Sequence, residues 1–345
     1  MKSILLVLAL TFAAQAGSAP VHYLKKKADW FKGDEARQIA ANILSWQTDD
    51  GGWPKNVDTT KSCDIARAKL EATFDNSATT DELRYLAHMF GATQEPRYRA
   101  AVEKGFDYVL KAQYPNGGWP QFYPAMHGYR RYITFNDGAM VRLMIFLRET
   151  FTADLFKFLD EPRRQAAHKA FDRGVDCILK CQIKVDGKLT AWCAQHDEKD
   201  YSPRPARKYE LVSLSGAESV GVVRLLMSLD KPNPEIRRAV EGAVAWFEAA
   251  KIRGIKEVVV NDAAAPGGKD KRMVSDPAAP PVWARFYEIG SNRPIFCDRD
   301  GIAKRQLSEI GHERRNGYGW YGYWAAPLLE KEYPEWKKKW GVDQP

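Results

Sequence analysis

Two short segments that align each place a carboxylate just ahead of an equivalent helix. Thr73-Phe74-Asp75-Asn76-Ser77-Ala78 aligns with Thr134-Phe135-Asn136-Asp137-Gly138-Ala139, so Asp75 and Asp137 each stand just ahead of a stretch with helical periodicity. Either aspartate reads equally well as a helix cap. Capping suits Asp137 better than Asp75, because Thr79 is already placed to cap the first of the two helices. Two such carboxylates on one rim of a helical array suit a hard cation such as Ca2+, although the spacing is not that of an EF-hand loop. A third, longer segment runs from Thr190-Ala191-Trp192-Cys193 through His196-Asp197-Glu198 to Arg204, Arg207, Lys208 and Ser215. A loop of that length in a compact fold usually carries function. Ser291–Gly301 adds Arg293, Asp298, Arg299 and Asp300. Arginines gathered beside aspartates are the residue types that hold acidic ligands.

Other chemistries lose ground. The six histidines show no H-E-x-x-H or other zinc spacing, and the chain has no G-x-S-x-G elbow and no phosphate-binding P-loop. Cys63, Cys177, Cys181, Cys193 and Cys297 form no Cys-x-x-Cys pair. They are expected to be free thiols rather than a disulfide framework, with Cys177 and Cys181 buried on one helix.

The elements that must position these residues repeat along the chain. Glu35–Gln47, Ala101–Gln113, Ala170–Gln182 and Ala239–Lys251 align without gaps, their starts 66, 69 and 69 residues apart. Val102, Phe106, Val109 and Leu110 match Phe171, Val175, Ile178 and Leu179, a spacing that marks one face of an α-helix. Second helices are expected between them at Thr79–Phe90, Gly138–Glu149 and Ser215–Met227. Thr79 with Glu82, and Ser215 with Glu218, read as capping boxes. A repeat of this length is two helices plus long loops, and its natural architecture is an all-α toroid of antiparallel hairpins. In that array the end of each first helix and the start of each second helix share a rim. Asp50-Gly51-Gly52-Trp53-Pro54-Lys55 and Asn116-Gly117-Gly118-Trp119-Pro120-Gln121 follow first helices and read either as turns with the Trp packed beneath or as part of that rim. Residues 256–281 lack periodicity and are expected to form a surface loop. Ile302–His312 is expected to be the last helix, with a short closing segment at Lys331–Lys339.

The chain has 345 residues, 45% hydrophobic and 28% charged, which is enough for one large soluble domain. Lys2, the apolar run Ile4–Phe12 and Ala14-Gln15-Ala16 read as a secretory leader over 1–16. A single catalytic domain is then expected over 17–345, in the periplasm or outside the cell, acting as a monomer. No stretch is long enough to span a bilayer. The net charge of +8, +7 without Lys2, is compatible with a polyanion, with anionic lipid or with no particular partner. Export disfavours nucleic acid but not an acidic polysaccharide, and composition alone does not choose among these.

The residues quoted above, with Asn42–Asn56, Tyr108–Pro124, Ala206–Ser219, Arg285–Gly301 and Glu313–Gly322, resemble the family 10 pectate lyases among the polysaccharide lyases. The resemblance runs in order over nearly all of the chain after the leader. It implies an (α/α)3 toroid and Ca2+-dependent cleavage of polygalacturonate by β-elimination, giving 4,5-unsaturated oligogalacturonates. It implies Asp75 and Asp137 at the Ca2+ and the substrate carboxylate, Arg207 as the catalytic base and Arg293 on a substrate carboxylate. Asn76, Asn136, Trp192 and Lys208 stand beside them as substrate contacts. Ser77, where Gly is more usual, and Ser291-Asn292, in place of a Thr-Gly-like pair, depart from the family pattern in loop geometry rather than in charge.

The residue types fit this chemistry. The C5 proton of a galacturonate is poorly acidic, and cations on its carboxylate stabilise the charge that develops as it leaves. Arginine is a reluctant base, with a pKa above about 12, which implies an alkaline optimum and leaves Lys208 as an alternative base. Two rivals remain at this stage. One is an inverting glycoside hydrolase with Asp75 and Asp137 as acid and base about 6.5–9.5 Å apart. The other is a non-catalytic pectin-binding protein that stacks sugars on Trp53, Trp119 and Trp192.

Overall fold

The computed structural model describes residues 18–341, and the leader expected over 1–16 lies outside them. Among the described residues no helix is long and apolar enough to cross a membrane, and all five cysteines are free, with Cys177 and Cys181 buried. The chain divides into two compact units, Met1–Gly105 and Phe106–Pro345.

In the first unit, α1 (Asp34–Ser45) buries the stripe Ala36, Ile39, Ala40 and Ile43. Helix α2 (Thr80–Thr93) lies against it, with Tyr85 donating its hydroxyl to the Ala36 carbonyl at 3.1 Å. Gln94, in the left-handed region, ends α2, and Pro96 opens α3 (Pro96–Lys111). In the second unit, α4 (Ala139–Thr152), α5 (Glu161–Cys181), α6 (Glu218–Met227) and α7 (Pro234–Ala249) continue the alternation. Asp160 and Asn233 cap α5 and α7 by accepting from the backbone N–H groups of Arg163 and Ile236.

The sequence repeat has a physical cause in two recurring hydrogen bonds. A tryptophan after each first helix donates its indole N–H back into that helix: Trp53 to Ile43, Trp119 to Val109, Trp192 to Ile178 and Trp283 to Phe247, at 2.7–2.9 Å. The acceptors are again 66, 69 and 69 residues apart. A glutamine at the end of each first helix reaches the first residue of the next repeat: Gln47 to Ala101, Gln113 to Ala170 and Gln182 to Ala239, all carbonyls, at 2.8–3.0 Å. In the first two turns between helix and tryptophan one glycine, Gly51 or Gly117, allows no side chain. At Gly117 (φ +92°) a Cβ would lie 2.0 Å from the Arg173 carbonyl oxygen.

Three sequence expectations need correction. Residues 256–281 are largely an antiparallel hairpin pairing Ile255–Asn261 with Lys269–Ser275. The run Val258-Val259-Val260 and the Pro-Gly-Gly turn at 266–268 supply it, but its half-exposed faces hide the alternation. Ile302–His312 is not a helix. Ala303–Lys304 pairs with Phe296–Cys297 around a turn closed by Gly301 (φ +81°), and the helix α8 runs instead over His312–Gly317. Thr79 does not cap α2: its φ is +73°, and its hydroxyl accepts from the Trp53 N–H and donates to the Thr73 carbonyl. Ser215 does accept from the Glu218 N–H at 3.1 Å. The chain closes with α9 (Tyr333–Trp340).

Candidate active site

The two carboxylate loops adopt the same backbone. Phe74 and Phe135 lie near φ −100°, Asn76 (φ 52°, ψ 36°) and Asp137 (φ 49°, ψ 25°) occupy the left-handed region, and Ser77 (φ 64°) matches Gly138 (φ 73°). Asx residues tolerate that region because their short polar side chains bond locally. Asp75 is therefore the structural counterpart of Asn136, and Asn76 of Asp137. In the first unit, buried Asp75 pairs with Lys55 and accepts from the Asn76 N–H at 3.0 Å, while Asn76 donates to Asn56 Oδ1 at 3.1 Å.

In the second unit, short strand pairs draw distant loops together. Ile133–Thr134 pairs with Gln195–His196, and the Asn136 N–H donates to the Ala194 carbonyl at 2.9 Å. Leu214–Ser215 pairs with Phe286–Tyr287, and the Gly216 N–H meets the Arg285 carbonyl at 2.8 Å. A Cβ on Gly216 would lie 2.2 Å from the Ala284 carbonyl oxygen, so this approach requires glycine. The Arg285 N–H in turn donates to the Trp320 carbonyl at 2.7 Å. Buried His196 clasps the long loop. Its Nε2 accepts from the Cys193 N–H at 3.0 Å and its Nδ1–H donates to the Tyr201 carbonyl at 2.7 Å, and burial lowers its pKa to about 4.

These ties assemble one continuous polar chain over an apolar floor. The floor contains Tyr209, Phe286, Phe296, Ile310 and Trp320. Arg285, buried, donates through Nη2 to Asp137 Oδ1 at 3.1 Å and to Glu218 Oε1. Its guanidinium lies over the Tyr318 ring at 4.7 Å. Tyr318 donates its hydroxyl to Glu210 Oε1 at 2.8 Å. Glu210 takes Arg207 as a fork: Nε at 2.8 Å on Oε2, and Nη2 on Oε1. Arg207 also lies over Tyr209 (5.0 Å) and Tyr318 (5.9 Å). Burial pulls the Arg207 and Arg285 pKa values down, but their carboxylate partners outweigh it and hold both above the ordinary arginine value. Beyond Arg207, Arg314 lies 4.6 Å over Tyr209 and shares Glu313 with Arg299, an arrangement that lowers the Glu313 pKa to about 2.

Thus Asp137 and Arg207 belong to one network. Arg293 is exposed and outside it; among the described residues its neighbour in charge is Glu288. Lys208 is exposed beside Arg207. Trp192 needs correction: it is fully buried, with its indole N–H committed to Ile178, so it offers no face to a sugar. Trp53 and Trp119 are equally buried, which removes the stacking-platform reading. Glu210, Glu218, Arg285, Arg314 and Tyr318 were not singled out from the sequence as site residues, Glu218 being read only as half of a capping box. Glu210 could have been, as the carboxylate three residues after Arg207.

The pectic acid lyase family model matches residues 47–329. A family 10 polysaccharide lyase from Cellvibrio cellulosa is 34% identical at a TM-score of 0.75, over 91% of this chain and 95% of that one. This chain belongs to the family 10 polysaccharide lyases. A mutant of the Cellvibrio cellulosa lyase in complex with trigalacturonic acid is likewise 34% identical, at a TM-score of 0.76 over 91% and 96% of the two chains. No curated protein matches the chain. The fold class is accordingly the all-α (α/α)3 toroid of that family. As a family 10 polysaccharide lyase it is an enzyme, a pectate lyase, and the hydrolase reading falls with that membership.

Proposed function

We propose that this chain cleaves polygalacturonate by Ca2+-dependent β-elimination, releasing 4,5-unsaturated oligogalacturonates. The observation that carries the reading is the single network running from the Asp137 carboxylate through Arg285, Tyr318 and Glu210 to Arg207. One end offers oxygen to a cation, and the other fixes a guanidinium.

The Asp137 end fits a hard cation in chemistry. Asp137 and Glu218 carry two negative charges against the one of Arg285. The buried Oδ1 of the adjacent Asn136 has no hydrogen-bond partner among the described residues. Oxygen donors with an excess of one negative charge suit Ca2+. The described residues include no cluster of three or more metal-ligating side chains, and the substrate's own carboxylates would supply further oxygens. Asp137 and Asn136 would hold the ion there. When bound, calcium supplies positive charge that neutralises the uronate carboxylate and acidifies C5.

The chain's own residues do the rest. In its neutral form Arg207 takes the C5 proton, the C5–H electrons form the C4=C5 double bond, and the C4–O bond breaks to release the leaving sugar, whose oxygen takes a proton from solvent. Nε and Nη2 of Arg207 are committed to Glu210, so Nη1 is the nitrogen left to meet substrate. Because Glu210 holds Arg207 in its cationic form, the rate should climb toward alkaline pH. Exposed Arg293 would engage a carboxylate of a neighbouring residue of the chain, and the net charge of +8 would draw the polyanion in.

The test is ultraviolet absorbance on polygalacturonate with and without Ca2+, repeated on Arg207→Ala and Lys208→Ala. Wild-type enzyme should form the absorbing product only with Ca2+, Lys208→Ala should keep most of the rate and Arg207→Ala should lose it. Cleavage without absorbance would overturn the elimination, and a fully active Arg207→Ala would reject Arg207 as base.

A further inference from the structure

We infer that Glu210, steadied by Tyr318, is the positioning residue that aims Arg207 and sets its reach from Asp137. This deepens the reading above and rests on Arg207 being the base.

An arginine three residues before a glutamate is ordinarily a solvated surface pair that contributes little. This pair differs from that case in three respects. First, Glu210 is only 4% exposed, and its two oxygens receive four donors: the Arg207 backbone N–H at 3.1 Å and Nε at 2.8 Å on Oε2, and Arg207 Nη2 and the Tyr318 hydroxyl on Oε1. No acceptor position is left for water. Second, the backbone closes on itself around the pair. The Glu210 N–H donates to the Arg207 carbonyl at 2.7 Å, and the Ala206 N–H to the Glu210 carbonyl at 3.0 Å. The loop and the guanidinium are therefore locked by the same residue. Third, the fourth donor comes from a ring that also carries Arg285, the partner of Asp137. Tyr318 is itself wedged among Tyr209, Phe286 and Trp320, at ring separations of 5.4, 6.2 and 5.0 Å.

A fork that fixes two of three guanidinium nitrogens leaves one degree of presentation, which is what a proton acceptor at a single carbon needs. Elimination is sensitive to that aim, because an ångström of misplacement can cost about a hundredfold in rate. The titratable and charged groups facing Arg207 are Glu210, Arg314 and the neutral phenols of Tyr209 and Tyr318. Of these, only Glu210 contacts the guanidinium nitrogens through hydrogen bonds.

The test compares Glu210→Gln and Tyr318→Phe with wild type on polygalacturonate and saturating Ca2+, measuring kcat, KM and the pH–rate profile of unsaturated product. Glu210→Gln keeps the size of the side chain but loses the fork. Its kcat should fall about a hundredfold with KM nearly unchanged, and its rising alkaline limb should move to lower pH, because Arg207 has lost its counter-charge. Tyr318→Phe, which keeps the ring and removes one hydrogen bond, should lose about tenfold in kcat. Wild-type values of kcat in both variants would overturn the inference. So would a rate loss that matches the fraction unfolded in a melting curve and leaves the pH profile in place. A wild-type enzyme that makes no unsaturated product would instead sink the elimination reading itself.

Discussion

Arg285 donates to Asp137 Oδ1 at 3.1 Å, and the same nitrogen also serves Glu218. The guanidinium is buried and sits over Tyr318, so one side chain joins the loop before α4, the start of α6 and the segment ahead of α9. Burial alone disfavours such a charge, and two carboxylates and an aromatic face hold it.

Arg285→Gln leaves Glu218 buried without its cation. Unpairing a buried ion of this kind costs about 3–5 kcal/mol, readable as a lower midpoint in urea unfolding. Activity should fall further than the folded fraction does, since Asp137 loses its anchor.

Asp137→Asn removes the excess negative charge from this end of the network. Titrating Ca2+ against the rate of unsaturated-product formation should show a requirement at least about tenfold higher than in wild type. EDTA should abolish wild-type activity and added Ca2+ should restore it. Activity indifferent to chelation would contradict the proposed cofactor.

Trp192→Phe keeps an aromatic ring and removes the donor to Ile178, leaving that carbonyl buried and unpaired. Stability should drop by about 1–3 kcal/mol while KM for oligogalacturonates stays at the wild-type value. A large rise in KM would return Trp192 to the substrate.

Two buried groups should tilt stability with pH in opposite directions. Glu82, fully buried with one oxygen unpartnered and one accepting from Thr59 at 3.0 Å, has its pKa raised by burial to about 8. Folding must protonate it above its ordinary value of 4.5, so its cost grows as pH rises toward 8. Glu82→Gln, always neutral, should be more stable by about 3 kcal/mol at pH 7 and equal to wild type near pH 4. His196 is held neutral, with its pKa lowered by burial from 6.5 to about 4. The unfolded chain takes up a proton there first, so wild type should lose about 3 kcal/mol as pH falls from 6.5 to 4. Unfolding curves of His196→Gln across that window should lack this slope.

The first helices were legible because each buries a stripe at 3.6-residue spacing, and the repeat was legible because the same tryptophan bond recurs in every copy and the glutamine bond in three of the four. The paired loops at Asp75 and Asp137 were legible for the same reason: left-handed backbone demands small or Asx residues in fixed order. The hairpin at 255–275 was not, since a half-exposed strand pair leaves no clean alternation. Nor was the stretch after 301, where Ala303–Lys304 pairs with Phe296–Cys297 in place of the helix expected over Ile302–His312.

By itself the amino-acid sequence determined the periodic helices, the rim loops between them and, through ordered motifs, the family. Periodicity and turn chemistry are local properties, written in neighbouring residues. Which carboxylate meets which guanidinium was decided only by tertiary structure. Asp137 and Arg285 are 148 positions apart, and Glu210 and Tyr318 are 108. Their meeting depends on two-residue strand pairs and one glycine contact that no local pattern announces. The tryptophans show the converse. Their motif allowed either a Trp packed beneath the turn or a sugar platform, and burial of the indole, which only the packed fold imposes, made them clasps on the preceding helix.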